Sequence, residues 1–87
     1  MPKTFTLIIR LMKIYDYTVL MTPDATGGYV VTCPALPGVV TQGETLEEAR
    51  INAAEAIDLY LEVLQEDGEQ IPEDVTPIIE PLSVRVA

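Results

Sequence analysis

Histidine is absent from these 87 residues, and so is tryptophan. Without histidine the chain has neither a Ser-His-Asp nor a Cys-His catalytic arrangement, and it lacks the usual zinc ligands. Cysteine occurs once, at Cys33, so no disulfide forms within the chain, which fits a reducing compartment. Because Cys33 is followed by proline and has no base nearby, we interpret it as a small buried side chain and not as a nucleophile.

Basic residues are scarce. The chain has 5 Lys and Arg against 14 Asp and Glu, for a net charge of −9. A protein that binds DNA or RNA neutralises phosphates with Lys and Arg, so we expect no direct nucleic-acid binding by this chain. A basic protein partner, or simple solubility, accounts better for the acidity.

Long apolar runs and phosphate-binding loops are missing as well. The longest nearly apolar run, residues 7–12, is interrupted by Arg10 and is too short to cross a bilayer. No small-residue cleavage pattern of a signal peptide follows it. Neither GxGxxG nor GxxxxGK[ST] occurs. We therefore expect a soluble, cytoplasmic protein with no membrane association and no cofactor.

Length and apolar content indicate one small folded domain. The chain has 87 residues, of which 48% are hydrophobic, enough for one domain and too apolar for a disordered tail. A domain this small has a thin core, which makes self-association a plausible way to cover apolar surface. We predict an N-terminal extension over residues 1–12 and a domain over residues 13–87.

The first half of the domain has the pattern of a small sheet. Residues 13–22 alternate between apolar and polar side chains, as in a half-buried strand. The apolar face of this strand would carry Tyr15, Tyr17, Val19 and Met21. A turn at residues 23–28 and a second strand at 29–33 complete a hairpin. Pro34 and Pro37 then predict a bend, followed by a short third strand at 39–42.

The second half begins with a helix. Thr45 and Glu48 form a capping box, in which the Thr45 hydroxyl accepts from a backbone amide of the first turn and the Glu48 carboxylate reaches back to Thr45. This cap predicts a helix over residues 46–66 that stops near Gly68. Its core stripe would be Leu46, Ala49, Ala53, Ala56, Ile57, Tyr60 and Leu64. Ile51 breaks the pattern, since it projects from the opposite side of the helix, which carries the acids Glu47, Glu55, Asp58 and Glu62. It is either an ordinary exposed apolar residue or a contact with a partner or a second copy.

A turn-rich return follows the helix, and residues 83–86 have the composition of a closing strand. The predicted order is β-β-β-α-β, which is typical of the α+β class. One main helix would pack on one face of a three- to four-stranded sheet.

Carboxylates are the only abundant reactive groups, so a metal-dependent nuclease is an alternative function for this chain. Asp16 on the first strand with Glu48 or Glu55 on the helix could in principle converge on Mg²⁺. The helical acids face away from the core stripe, however, and no basic residues stand near them to hold a nucleic acid. A solvated acidic face is the better interpretation, with no metal site and no catalytic residue.

The central string YVVTCPALPGVVTQGETLEEA, residues 29–49, resembles the signature of HicB-like antitoxins. Asn52, Ala56, Ile57, Gly68 and the Ile71-Pro72 pair continue the likeness, which covers roughly residues 13–72, most of the chain. The specific combination is a P-x-L-P-G bend, a G-E-T-L-E-E-A cap and Asn52 at this spacing. A capping box alone would be weak evidence.

The resemblance implies a partial ribonuclease H-like fold without nuclease activity. It also implies that the chain binds and blocks a HicA-type toxin, a small basic messenger-RNA-cleaving protein, and assembles as a dimer or tetramer. Many HicB proteins carry a C-terminal DNA-binding domain as well. Only fifteen residues follow Pro72, so none is expected here, and transcriptional repression by this chain is in doubt.

The leading hypothesis is therefore an antitoxin-like protein that neutralises such a toxin. The alternative is a solitary HicB-like oligomeric binding or regulatory domain without a toxin. The acidity lies mainly on the helix and after it, with twelve acids and one base, Arg50, between residues 44 and 80. The predicted partner contacts are Glu44, Glu47, Glu48, Ile51, Glu55 and Asp58.

Overall fold

The computed structural model describes residues 14–87. The predicted extension, residues 1–12, lies outside the described residues. Within them the chain forms three strands, β1 (Leu20–Pro23), β2 (Tyr29–Thr32) and β3 (Val40–Gly43), and one helix, α1 (Leu46–Glu66). The predicted α+β class, with three strands before one long helix, is confirmed.

The strands form an antiparallel sheet in the order β1-β2-β3. Met21 and Thr41 lie opposite Val31 from its two sides, and Leu20 and Val40 lie opposite Thr32. Because side chains alternate along a strand, these two rows point to opposite faces. Met21 and Val31 pack with Ala49 and Ala53 of α1. The helix therefore covers one face of the sheet, whereas Val40, on the other face, is exposed.

The hairpin between β1 and β2 is closed by a turn at the predicted place. The Asp24 amide donates to the Gly28 carbonyl at 3.0 Å, and the Gly27 amide donates to the Asp24 carbonyl at 3.0 Å. Gly27 and Gly28 have φ of 105° and 72°, a region that favours glycine because it has no Cβ. The predicted turn is confirmed.

Strand β1 is shorter than the predicted strand over residues 13–22. Its ladder begins at Leu20, opposite Thr32, which is the last residue of β2. Within residues 14–87 no strand pairs with the residues before Leu20, because the chain turns away after Thr32 and Pro34 cannot extend the ladder. Tyr15, predicted on the buried face, is exposed and stacks on Tyr17 with ring centroids 6.4 Å apart.

The bend between β2 and β3 places a leucine in the core. The Leu36 amide donates to the Cys33 carbonyl at 3.0 Å, and the Val39 amide donates to the Leu36 carbonyl at 2.9 Å. These two successive turns direct Leu36 inwards, where its side chain is 0% exposed. Leu36 forms a buried cluster with Cys33 and Val39, against which Tyr60 and Ile57 of α1 pack. The prediction that Cys33 is buried is confirmed.

Helix α1 starts at the predicted residue with a slightly different cap. The Thr45 side chain accepts a hydrogen bond from the Glu48 amide at 3.1 Å, as the capping box predicts. The Glu48 carboxylate accepts from the amide of Glu44 at 3.4 Å, whereas the prediction was Thr45. The carboxylate still satisfies a backbone donor just ahead of the helix.

The end of α1 is confirmed at Glu66, and the hydrogen bonds explain it. The Glu69 amide donates to the Leu64 carbonyl at 2.8 Å, and the Gly68 amide donates to the Gln65 carbonyl at 3.1 Å. With Gly68 at φ 69°, this pairing is a Schellman motif.

The predicted core stripe of α1 is buried or partly buried except at its first residue. Ala49 and Ala53 are buried, and Ala56, Ile57, Tyr60 and Leu64 are partly buried. Leu46 is 40% exposed, so its assignment to the core was wrong. It lies at the start of the helix, where residues 44–48 are all exposed.

After the helix the chain returns to the residues that precede β1. The Tyr17 hydroxyl donates to the Pro72 carbonyl at 2.5 Å. The Thr18 amide and hydroxyl donate to the two carboxylate oxygens of Asp74 at 2.9 Å and 2.7 Å. We call these four residues the clasp. The clasp ties the return to the β1 side of the sheet.

The predicted closing strand at residues 83–86 is not formed in this structure. Residues 75–87 have no regular secondary structure, and all of them are exposed except Pro77, which is partly buried. A strand needs a neighbouring strand to accept its backbone hydrogen bonds, and beyond Asp74 the chain does not pair with either edge of the sheet. The prediction of a strand formed within the chain is therefore wrong.

The hydrogen bonds between Thr18 and Asp74 in the clasp should depend on pH. The hydrogen bonds from Thr18 hold the pKa of Asp74 below its ordinary value. The contribution of Asp74 to stability is therefore present above the usual aspartate pKa of about 3.9 and is lost as the pH falls through the lowered value. We expect the NMR shift of the Thr18 amide to titrate with a midpoint below about 3.9. Asp74→Asn should abolish that titration, and its persistence in the variant would exclude Asp74 as the cause.

Candidate binding surface

The exposed side of α1 carries a row of carboxylates. Positions 47, 51, 55, 58 and 62 are separated by four or three residues, so they share one side of the helix. We call this side the acidic face. It comprises Glu47, Ile51, Glu55, Asp58 and Glu62, all of them exposed. Because these carboxylates lie close together in solvent, the face presents a concentrated negative charge.

Ile51 lies within the acidic face, four residues from Glu47 on one side and four from Glu55 on the other. Its side chain is 54% exposed, so the prediction that it projects from this side of the helix is confirmed. An exposed apolar residue surrounded by acids fits a partner that has an apolar pocket within a basic surface, since apolar anchors supply affinity and surrounding charges supply specificity.

The structure divides the predicted contact residues into two groups. Glu47, Ile51, Glu55 and Asp58 belong to the acidic face. Glu44 precedes the N-cap, and the Glu48 carboxylate is occupied in part by the Glu44 amide. Both lie at the N-terminal end of α1, where their charges also interact favourably with the helix dipole. Contact of either group with a partner stays a prediction.

Two grooves flank α1, and both were missed in the sequence. The β1-side groove, about 480 Å³, is lined by Tyr15, Asp16, Tyr17, Val19, Arg50, Ala53, Ala54, Ile57, Asp58 and Leu61. The β3-side groove, about 420 Å³, is lined by Gly38, Val39, Val40, Ala56, Leu59, Tyr60, Val63 and Leu64. The available signal was the pair Leu59 and Val63, two apolar residues four apart that do not belong to the predicted stripe.

Several residues of the sequence signature hold the fold together. Leu36 fills the core, as described above. The Asn52 side-chain amide donates to the Gln42 carbonyl at 2.7 Å and so ties α1 to β3. At Gly43 an added Cβ would lie 2.4 Å from the Ala49 backbone nitrogen, so only glycine lets β3 approach the helix this closely. The signature therefore specifies how sheet and helix pack.

The carboxylates of residues 14–87 do not gather into a metal site. Across this part of the chain no group of three or more Cys, Asp or Glu side chains is placed to hold a metal ion. Asp16 lines the β1-side groove together with Asp58 and Arg50, whereas Glu55 belongs to the acidic face. The convergence imagined for a nuclease is therefore not found among these residues. No helix in the described range is long and apolar enough to span a membrane.

Several known proteins have sequences similar to that of this chain. Residues 17–83 match the family described as "HicB_like antitoxin of bacterial toxin-antitoxin system". A UPF0150 protein of Thermoplasma acidophilum is 55% identical over 58 residues, which are 67% of this chain and 84% of that protein. A UPF0150 protein of Synechocystis is 45% identical over 74 residues, 85% of this chain and 92% of that protein.

A relative whose name states a role is also similar. Antitoxin HicB of Escherichia coli K12 is 41% identical over 56 residues, which cover 64% of this chain and 41% of that antitoxin. The likeness thus includes short proteins of nearly this length and part of a longer antitoxin. The resemblance first drawn from residues 29–49 is confirmed, and the chain belongs to the HicB-like antitoxin family.

Proposed function

We propose that this chain binds and neutralises a small basic, messenger-RNA-cleaving toxin of the HicA type. The observation that carries the proposal is the acidic face of α1 with Ile51 exposed within it, in a chain of an antitoxin family. The face would cover the surface with which the toxin grips RNA, so that bound antitoxin excludes substrate.

Charge complementarity supports this pairing. A toxin that grips RNA needs a positive surface to neutralise phosphates. The acidic face presents carboxylates to such a surface, and Glu44 and Glu48 at the start of α1 extend the negative charge. Complementary charges of this kind accelerate encounter and select the partner, whereas a buried apolar anchor such as Ile51 slows dissociation.

The proposed role is binding without catalysis, without a cofactor and without direct contact between this chain and nucleic acid. We place it in the cytoplasm, where messenger RNA is translated. The purified chain should cleave no RNA with Mg²⁺ or Mn²⁺. Cleavage that is lost in Asp16→Asn would instead support the nuclease alternative.

The decisive experiment uses a small basic protein encoded beside this gene. The two proteins are co-expressed and co-purified, and RNA cleavage by the basic protein is measured with and without the full chain. A stable complex in which cleavage is silenced is the expected result. Absence of a complex, with both proteins folded, would contradict the antitoxin role and favour the solitary oligomeric domain.

Charge reversal on the acidic face tests which surface is used. We expect Glu47→Lys/Glu55→Lys to weaken toxin binding by roughly 100-fold or more, since the variant reverses two charges and close interfacial charge pairs contribute about 1.5 kcal/mol or more each. The salt dependence of the association rate should also become shallower. Titration calorimetry and stopped-flow mixing at two salt concentrations measure both effects.

The matched control is Glu69→Lys/Glu73→Lys, which makes the same change in net charge at two exposed residues after the helix. It should bind the toxin nearly as well as the unmodified chain. Equal weakening by both double variants would show that net charge matters and not the acidic face. Unchanged binding by both would remove α1 from the interface.

We also propose that the chain self-associates, as a dimer or tetramer. The support is the amount of apolar surface that one copy leaves in solvent, including Val40, Leu59 and Val63 along the β3-side groove and most of the apolar side chains after Asp74. Surfaces of this kind mark interaction sites in small soluble domains.

A further inference from the structure

Residues 75–87, which we call the arm, are apolar and uncovered. The side chains of Ile78, Ile79, Leu82, Val84 and Val86 are 77–87% exposed. Leu82, Val84 and Val86 alternate with Ser83 and Arg85, a pattern that places the three apolar residues on one side of an extended chain. A segment with this pattern normally packs its apolar side against another surface.

The β3-side groove is a second uncovered apolar surface on the same chain. Along it Val40, Leu59 and Val63 are 65%, 62% and 46% exposed, and its other walls include Val39 and Tyr60. Neither Asp nor Glu lines it, in contrast to the β1-side groove with Asp16 and Asp58. An apolar arm therefore matches the β3-side groove.

The arm of a chain is poorly placed to fill the groove of the same chain. The clasp anchors its start at Thr18, ahead of β1, whereas the groove lies beyond β3 at the opposite edge of the sheet. Reaching it would require the arm to turn back around the helix or across the open face. Pro77 and Pro81 oppose such a reversal, because proline restricts its own φ and holds the preceding residue extended.

We infer that the arm of one copy docks in the β3-side groove of a second copy, and that the exchange is reciprocal. This inference rests on the self-association proposed above and not on the toxin. The same exchange made twice about a two-fold axis gives a closed dimer. The sequence predicts that residues 83–86 close the domain, and one copy does not form this closing segment. In the dimer these residues would instead pack against the partner copy.

The apolar area is sufficient for a stable dimer. Ile78, Leu82, Val84 and Val86, which share one side of an extended arm, offer roughly 320 Å² of apolar surface, taking about 80 Å² for each. Two arms and two grooves would together bury on the order of 1,300 Å², which lies within the range of stable protein interfaces. None of the residues of the acidic face lines the β3-side groove.

The first test is the mass of the full chain in solution, by light scattering after size-exclusion chromatography. The unmodified chain should be a dimer, and Leu82→Asp/Val84→Asp should raise the dissociation constant at least 100-fold and yield a single-chain mass. Thr76→Asp/Ser83→Asp adds the same charge at exposed polar residues of the arm and should remain a dimer. Circular dichroism should show an intact helix in each variant, because the substituted side chains are exposed in one copy.

The second test addresses the groove. Leu59→Asp should dissociate the dimer as the arm variant does. Ile51→Asp, at a similarly exposed apolar residue of the same helix outside the groove, should keep the dimer mass. When differently tagged copies with Val84→Cys and Val63→Cys are mixed and oxidised, a disulfide should join one tag to the other. The buried Cys33 serves as the background control in unmodified chain.

The outcomes separate the inference from the proposed function. A monomeric unmodified chain, or an arm variant that stays dimeric, would overturn arm exchange. Dissociation by the arm variant but not by Leu59→Asp would exclude the β3-side groove as the docking site. Toxin silencing is assayed separately, so a dimer that binds no toxin refutes the antitoxin role and leaves arm exchange standing.

Discussion

Leu36→Ala should lower the free energy of unfolding by about 2–5 kcal/mol, which is the range for removing a fully buried leucine side chain. Leu36 is 0% exposed and packs between Cys33, Val39 and the side chains of α1. Each of the two turns that hold it contains a proline, Pro34 or Pro37, which restricts the backbone and limits its collapse into the cavity. A domain of this size is stable by only about 5–10 kcal/mol.

Urea denaturation followed by circular dichroism measures this change. Leu36→Met, which nearly conserves volume, should cost less than about 1.5 kcal/mol. All variants are compared at one protein concentration, because self-association would add a concentration-dependent contribution to stability. If Leu36→Ala unfolds at the same urea concentration as the unmodified chain, the bend does not anchor the core.

Gly43→Ala should destabilise the domain by about 3 kcal/mol, at the upper end of the range for forcing extra atoms into a packed site. The new Cβ would lie 2.4 Å from the Ala49 nitrogen and 2.7 Å from its Cα. Both atoms belong to the backbone of the first turns of α1 and cannot rotate aside. The helix would have to move off β3, which would also strain the Asn52 hydrogen bond to Gln42.

Two other glycines provide graded controls. At Gly38 a Cβ would meet the Tyr60 ring at 2.6 Å, and a ring can shift, so Gly38→Ala should cost less. At Gly68 a Cβ would meet no atom within 4 Å, and φ is +69°, so Gly68→Ala reports the conformational strain of a left-handed residue alone, about 1–2 kcal/mol. If thermal unfolding does not rank Gly43→Ala as the most damaging, the close approach of β3 and α1 is not what constrains this position.

Leu36 and Gly43 both belong to the family signature. The bend that contains Leu36 and the stretch that contains Gly43 were recognisable from spacing alone, and the structure assigns both to packing. The proposed partner contacts lie elsewhere, on the exposed side of α1. Variants of Leu36 or Gly43 should therefore lose toxin binding only through loss of folding, whereas Glu47→Lys/Glu55→Lys should lose binding with the fold intact.

The ends of α1 could be predicted because they are decided by residues close together in the chain. Thr45 accepts from the Glu48 amide, and Gly68 adopts the positive φ that closes the helix. Hydrogen bonds between residues three to five apart have the same partners in almost any surroundings. The hairpin turn at Gly27 and Gly28 was predictable for the same reason.

The strand ends could not be predicted in this way. Residues 14–19 have the alternation of a strand, as do residues 82–86, yet neither segment is paired within the described part of the chain. The alternation of apolar and polar residues predicts which side of a strand would be buried. Whether the strand forms also depends on a neighbouring strand, whose position is set by the rest of the fold. The exposure of Leu46 and the two grooves beside α1 likewise depend on where the sheet ends beneath the helix.

By itself the sequence determined the α+β class, the bounds of the helix, the exposure of Ile51 among acids and the family, because these follow from local hydrogen bonds, periodicity and a specific motif. Only the tertiary structure decided that Leu36, Gly43 and Asn52 join sheet to helix, that the clasp ties the return to Thr18, and that the arm is left uncovered. Those features depend on contacts between residues distant in the chain, and the geometry of such contacts is set only when helix and sheet pack together.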